Sequence, residues 1–350
     1  MTWLKRSFSM IFTVIIMMNI VSCSLFQPKK HQASFLILFN TITEIVGYAH
    51  SEKEFKEFAQ FLYDNLEEYH QLYDKYNSYP GINNIKTIND RAGKEPVKVD
   101  SRIIDLLLYS KEMYAKTNGK VNIAMGAVLE IWHDYRSDGV ENPEDSQLPP
   151  MAELEAANQH TNIEDVIIDE EESTVYLADP LLRLDVGAIA KGYATEQVVE
   201  IALHEGYENF LLSVGGNVRS VGIKPDVKEP WSVGIQNPDK SSEQKNIFIL
   251  SLSDLSLVAS GDYERYYTVN GKRYHHIIDP STLMPAEYFA AVSIVCEDSG
   301  LADALSTAVF NLPYEEGKAL IETFEGVEAL WIYSNGDMKF SDNFKGLIKD

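Results

Sequence analysis

Two Asn-Gly dipeptides limit the folds open to this chain more than any other feature. Asn270-Gly271 separates Tyr266-Tyr267-Thr268-Val269 from Lys272-Arg273-Tyr274-His275-His276-Ile277-Ile278, and Asn335-Gly336 follows the apolar run from Leu330 to Tyr333. Both central residues of a type I′ turn need positive φ, which Asn and Gly tolerate, and the twist of that turn matches the twist of paired strands. Two antiparallel hairpins are therefore expected in the C-terminal half. Upstream, Val166-Ile167-Ile168, Thr174-Val175-Tyr176-Leu177 and Leu181 to Leu184 read as strands of a meander. Asp169 to Ser173 would be its first turn, with Glu170-Glu171-Glu172 solvated upon it. Phe210 to Val214 reads as a buried strand leading into Gly215-Gly216-Asn217.

Helical spacing interrupts these strands. Phe55, Phe58, Phe61, Leu62 and Leu66 share one face of Glu52 to Leu72, and Ser101 to Thr117 repeats the pattern. A third helix is predicted over Ala190 to Glu205, packing through Tyr193, Val198, Val199 and Ala202 and capped by Gly206. A fourth runs from Leu301 to Asn311 and stops before Pro313, because proline lacks the N–H that would continue it. No linker rich in Pro, Gly or Ser and no internal repeat divides the chain. The expected class is α+β: a single large domain with a mixed, substantially antiparallel sheet and packed helices.

The N-terminus bears on location. Lys5 and Arg6 precede an apolar run from Met10 to Met18, too short to span a bilayer and suited to a signal segment. Ile20-Val21-Ser22-Cys23 resembles a bacterial lipobox, in which cleavage before the cysteine leaves Cys23 carrying lipid. The alternative is an ordinary signal peptide with an incidental cysteine. The expected divisions are a signal peptide over 1–22, a polar tether over 23–32 and the folded domain over 33–350, lipid-anchored on the extracytoplasmic face of the cytoplasmic membrane. Cys296 is the only other cysteine, so an acylated Cys23 leaves no intramolecular disulfide and the fold rests on its core. The chain carries net −23, and losing Lys5 and Arg6 with the signal makes it −25. Such a charge repels nucleic acid, and an anionic ligand must be held by local devices: a metal ion, a helix N-terminus or single basic residues.

Asp185-Val186-Gly187-Ala188-Ile189-Ala190-Lys191-Gly192-Tyr193-Ala194 supplies such devices where a strand should become a helix. Glycine lets backbone approach a ligand, a helix N-terminus presents free N–H groups, and Lys191 adds charge. The order of Lys191 and Gly192 excludes a Walker A loop. A plain strand-to-helix turn with one solvated lysine is the other reading. In the fourth helix Asp303, Ser306 and Thr307 share a face at i, i+3 and i+4. Oxygens so placed suit a hard cation such as Mg²⁺, although mid-helix Ser and Thr also bond back to a carbonyl one turn earlier. His275 and His276, adjacent on a strand, point to opposite faces, so one metal site would not use both.

Six segments then occur in a telling order: Leu184 to Tyr193, Val214-Gly215-Gly216-Asn217, Trp231-Ser232-Val233-Gly234-Ile235, Ser260-Gly261-Asp262-Tyr263, His276-Ile277-Ile278-Asp279-Pro280, and Ala302 to Ala308. Together they resemble the ApbE family of FAD:protein FMN transferases, from about Phe39 to the last strand. The resemblance implies a Mg²⁺-dependent enzyme that takes FAD as substrate, moves FMN to a threonine or serine hydroxyl of a protein and releases AMP. It implies that Asp185 and Lys191 belong to the FAD site. For Mg²⁺ it implies the backbone carbonyl of Ala188 and the side chains of Asp303 and Thr307. Asp303 and His276 are the implied catalytic residues, with His276 as the base that takes the hydroxyl proton. Phe39 falls at the family's early loop, Tyr76 at an aromatic that stacks on the flavin, and Lys120, Val121, Asn122 and Ile277 at further FAD contacts. Asn122 and Ala124 replace a carboxylate and a hydroxyl of the family pattern, and Leu283 stands where a glycine is usual.

The partner implied is an extracytoplasmic flavin-acceptor protein, a subunit of a membrane electron-transfer complex. Two other functions share these residues. An FAD pyrophosphatase would use water in place of the protein hydroxyl, and a flavin-binding lipoprotein would hold FAD without turning it over.

Overall fold

The computed structural model describes residues 27–36 and 38–349. The chain begins with β1 (Lys29–Leu36), β2 (Ile42–Ala49), α1 (Glu52–Tyr73), α2 (Ile85–Asp90), β3 (Val97–Lys98), α3 (Ser101–Lys116), α4 (Gly126–Glu141) and α5 (Met151–Asn158). It continues through β4 (Val166–Asp169), β5 (Thr174–Leu177), α6 (Ala190–His204), β6 (Phe210–Val214), β7 (Asn217–Val221), β8 (Trp231–Gln236) and β9 (Asn246–Leu252). Then follow β10 (Ser256–Gly261), β11 (Tyr266–Val269), β12 (Lys272–His275), β13 (Ala291–Cys296), α7 (Ser299–Phe310), α8 (Tyr314–Ile321), β14 (Glu328–Ile332) and β15 (Met338–Phe340).

Eight strands form one sheet in the order β1-β2-β6-β7-β10-β13-β14-β15, antiparallel throughout. The parallel component expected of a mixed sheet is confined, among the described residues, to an isolated bridge between Met125 and Arg183. Strand β13 is buried at all six positions, as a central strand between two apolar layers must be. Its Val292, Ile294 and Cys296 face Leu305, Val309 and Phe310 of α7. Its Ala291 and Val295 face Trp231, Leu250, Leu252 and Phe344. Helices α1, α6 and α7 thus cover one face of the sheet, and the β8–β9 hairpin with the C-terminal segment covers the other. A separate cluster joins Met125, Val128 and Trp132 of the α4 region to Tyr267, Val269 and Leu283 beside the β11–β12 hairpin.

Several local expectations change. Asn270 and Gly271 both have positive φ, as a type I′ turn requires. At Asn335-Gly336 only Gly336 does, and Tyr333 pairs with Asp337, so the loop has one residue more than a two-residue turn. Gly215 and Gly216 form a further two-residue turn, between β6 and β7. Leu181 to Leu184 is no strand, because the side chain of Asn89 takes both backbone polar groups of Leu184, at 2.7 and 3.0 Å. The small sheet is completed instead by β3, giving the order β3-β5-β4. The second strand of the 270–271 hairpin ends at His275, whose Nδ1 accepts the Ile277 amide at 3.2 Å. Cys23 and the signal region lie outside the described residues, and β1 begins at Lys29, inside the stretch expected to be tether.

Candidate active site

A cavity of about 680 Å³ opens where the N-terminus of α6, the end of α1, the start of α4, the Gly215-Gly216 turn and the face of α7 converge. Its floor is the Asp185 loop. The Asp185 amide donates to the Ile123 carbonyl at 2.8 Å, and its Oδ1 accepts the Gly187 amide at 2.9 Å. Lys75 Nζ donates to Oδ2 at 2.6 Å. Burial pushes this carboxyl upward, but the charge and hydrogen bond of Lys75, with the Gly187 amide, hold it below the usual carboxylate range. Burial likewise works against the Lys75 ammonium, yet Asp185 raises it above the ordinary lysine value. The pair is fully ionised at neutral pH. Sequence spacing gave no sign of Lys75, since it meets Asp185 only through the fold.

Helices α6 and α7 meet at the second part of the site. An added Cβ on Gly192 would lie 2.3 Å from the Ser299 carbonyl oxygen and 2.4 Å from Asp303 Cβ, so only glycine allows this approach. The Gly192 amide, in the first turn of α6 and so without an acceptor inside the helix, donates to Asp303 Oδ2 at 2.8 Å. Lys191 Nζ lies 3.5 Å from Asp303 Oδ1 and 3.3 Å from Asn217 Oδ1. Ala188, Asp303 and Thr307 all line the cavity. Ser306 does not: it is fully buried, donating to the Asp303 carbonyl at 2.9 Å and lying 2.8 Å from Ser260 Oγ. One carboxylate, one hydroxyl and one backbone carbonyl make an all-oxygen donor set that fits a hard cation. Among the described residues no group of three or more His, Cys, Asp or Glu gathers as a metal site, so any cation here draws on these less acidic donors.

The mouth is built from the end of α1. His70 Nδ1 accepts the Phe39 amide at 3.2 Å, holding Phe39 at φ 52°. Asp74 Oδ1 accepts the Tyr76 amide at 2.6 Å, and Tyr79 Oη donates to Asp74 Oδ2 at 2.8 Å. Tyr76 is 50 % exposed, which rules out a core role; its ring lies 5.7 Å from that of His133, with Lys75 Nζ 4.9 Å from its centroid. Lys120 donates to Asp279 Oδ1 at 2.8 Å and Ser281 Oγ at 2.9 Å, tying the 119–126 segment to the loop after His276. Val121 and Ile277 are buried walls of the cavity, and Asn122 Oδ1 accepts the Ala124 amide at 2.9 Å. Leu283 holds φ 60° in place of glycine, with its side chain buried and its carbonyl accepting from Trp132 at 2.9 Å.

The two histidines divide, although His276 lies just past the end of β12 and neither is exposed. His275 is structural: its ring nitrogens engage the Ala286 carbonyl at 2.7 Å and the Ile277 amide. His276 lines the cavity with a buried Nδ1 that has no partner. Burial, then the nearby Arg265 and Arg136 guanidiniums, push its pKa down to about 3. Asn217 Nδ2, also on the cavity wall, is a second buried polar atom without a partner. Arg136, Arg265 and His133 complete this side, and no motif pointed to them.

The chain is similar to proteins of known family. The sequence profile of the ApbE family matches residues 39–331. An FAD:protein FMN transferase of Treponema pallidum is 35% identical over 73% of this chain and 72% of its own length. Another, from Klebsiella pneumoniae, is 30% identical over 77% and 83%. The crystal structure of the ApbE protein from Thermotoga maritima superposes with a TM-score of 0.79 at 30% identity, covering 92% of this chain and 100% of that one. The apo flavinyl transferase ApbE of Pseudomonas stutzeri, 24% identical, has the same fold at a TM-score of 0.75, with 92% of this chain and 98% of that one covered. With a family match over most of its length and the six motif segments folded toward one cavity, the chain belongs to the ApbE family.

Proposed function

We propose that this cavity transfers FMN from FAD to a hydroxyl of an acceptor protein, threonine or serine, and releases AMP. Flavin transfer follows from the family; the hydroxyl, the leaving group and the metal are the finer parts of the reading. The observation that carries it is the convergence of an ionised Lys75–Asp185 pair, the Lys191–Asp303 contact and a neutral His276 on one cavity.

The acceptor oxygen forms a bond to the FMN-side phosphorus, its proton passes to the unpartnered nitrogen of His276, and the bridging P–O bond breaks toward AMP. Burial with two neighbouring guanidiniums keeps His276 unprotonated in the free protein but also lowers its proton affinity, which the negative charge of a bound diphosphate would raise back toward working pH. Lys191 neutralises phosphoryl charge, and the walls fix the line of attack. Mg²⁺ held by the Ala188 carbonyl, Asp303 and Thr307 would supply charge neutralisation at the diphosphate. The orphaned Asn217 Nδ2 and His276 Nδ1 are groups that a polar ligand would satisfy. Location belongs to the same proposal: lipid on Cys23, an extracytoplasmic site, and an acceptor drawn from flavin-carrying subunits of membrane electron-transfer complexes.

The test is to incubate purified protein with FAD, Mg²⁺ and a candidate acceptor, following AMP and acceptor fluorescence. Stoichiometric AMP and flavinylated acceptor are expected. Free FMN at an equal rate without acceptor would identify a pyrophosphatase, and unchanged FAD a binding protein.

A further inference from the structure

Charge is scarce on the basic side of this chain, with 30 Lys and Arg against 53 Asp and Glu. A basic side chain therefore has carboxylates within easy reach, and the cavity lysines take them: Lys75 bridges Asp185, Lys120 bridges Asp279 and Lys191 approaches Asp303. Arg136 and Arg265 do not. Both line the cavity, and among the described residues neither meets a carboxylate; the hydrogen-bond partner of Arg136 is His133 Nδ1, at 2.9 Å. Arg136 is half-buried on α4; burial first and the nearby Arg265 second work against its charge, which Tyr76 and Asp185 only partly offset. Two guanidiniums left together unpaired in a cavity repel one another unless an anion sits between them. Both also bear on His276, whose own Nδ1 has no partner.

We infer that Arg136 and Arg265 form a clamp for the diphosphate oxygens of FAD, on the side of the cavity where His276 stands. The inference rests on the transferase reading. Guanidinium suits this ligand because its planar fork meets phosphoryl oxygens in pairs, which a lysine ammonium cannot do. The diphosphate is the anion that the reaction must place beside the base, so the clamp orients the phosphorus for attack. It would also relieve the repulsion between the two arginines only once FAD is bound, making the free site a receptor for negative charge rather than a neutral pocket.

The probes are FAD and riboflavin, which share the ring system while riboflavin has no phosphate. Flavin-fluorescence titrations in EDTA, with wild type, R136Q, R265Q and the double variant, separate phosphate from ring recognition. Each single substitution should weaken FAD about tenfold, as loss of a charge-assisted contact does, and leave riboflavin unchanged. R136K should recover only part of the loss. Arg265 is exposed, so R265Q tests the clamp should R136Q fail to fold. Unchanged FAD affinity in R265Q and the double variant, an equal loss for riboflavin, or an effect seen only in the KM for acceptor would each overturn the clamp. Failure of the transferase reading would appear separately, as wild type that binds FAD and turns over no acceptor.

Discussion

Asp303 Oδ2 accepts the Gly192 amide at 2.8 Å, satisfying a first-turn donor of α6 that has no acceptor within its own helix. One carboxylate thereby locks α6 against α7, while its Oδ1 stays within 3.5 Å of Lys191. Asp303→Ala removes both effects. It should abolish Mg²⁺-dependent FMN transfer and, by orphaning a buried amide, lower stability by about 1–3 kcal/mol. Asp303→Asn keeps an oxygen for Gly192 and should retain partial metal binding. Undiminished turnover by the alanine variant would remove Asp303 from the site.

The Lys75–Asp185 pair makes a prediction in pH. The depressed Asp185 contributes stability that is complete above the unfolded carboxylate value, about 3.9, and is lost as pH falls through its lower folded value. The raised Lys75 contributes stability that is complete below about 10.4 and is lost as pH rises through its higher folded value. Between roughly pH 5 and 9 the pair's contribution should be flat. In Lys75→Met an uncompensated carboxylate is left buried, which costs about 3–5 kcal/mol. Its pKa rises, so variant stability should climb as pH falls from neutral, where the wild-type contribution of the pair is flat. Chemical denaturation at several pH values checks this; a parallel pH dependence in both proteins contradicts it.

At Leu283 two effects compete. The left-handed backbone at φ 60° costs a leucine about 1–2 kcal/mol relative to glycine, while its buried side chain is worth roughly 2–5 kcal/mol by large-to-small substitution. Packing wins, so Leu283→Gly should be destabilising by about 1–3 kcal/mol. A thermal midpoint raised by the glycine would reverse that ranking.

Much of the fold was legible because burial has a period. Helices α1, α3, α6 and α7 each announced an apolar face, and Asn270-Gly271 needed only local φ preferences. Leu181 to Leu184 misled because the deciding partner, Asn89, lies 95 positions from Leu184. The site divides in the same way. Asp185, Lys191 and Asp303 lie in recognisable local patterns, but Ser306 shared that pattern and turned inward to Ser260. Lys75, Arg136 and Arg265 left no local trace, since their role comes from which loops the topology brings together. The Ala188 carbonyl could be reached only through family resemblance, a backbone oxygen having no sequence identity.

Tyr76 stands at the mouth, half-exposed beside Lys75 and His133. If its ring packs on the flavin, it limits access of water to the phosphorus. Tyr76→Ser should weaken FAD binding several-fold and shift product from flavinylated acceptor toward free FMN. Chromatographic ratios of FMN, AMP and acceptor-bound flavin decide the point, and an unchanged ratio returns Tyr76 to the surface.

Cys23→Ser should release the protein from membranes without altering the kinetics of FMN transfer, because among the described residues the cavity draws on nothing before Phe39. Detergent partitioning and labelled-lipid incorporation measure the first part and steady-state kinetics the second. A mature chain that begins elsewhere, or one without lipid at Cys23, contradicts it.

That β1 opens at Lys29 sets a limit on reach. Only Ser24 to Pro28 separate Cys23 from the sheet, and even drawn out straight this stretch spans about 20 Å, less than the roughly 40–50 Å diameter of a domain this size. With lipid on Cys23, the folded body would rest against the headgroups instead of sweeping through the periplasmic or extracellular space. Acceptors would then be sorted by height: a hydroxyl on a loop skimming the bilayer comes within range, and one on a tall ectodomain does not.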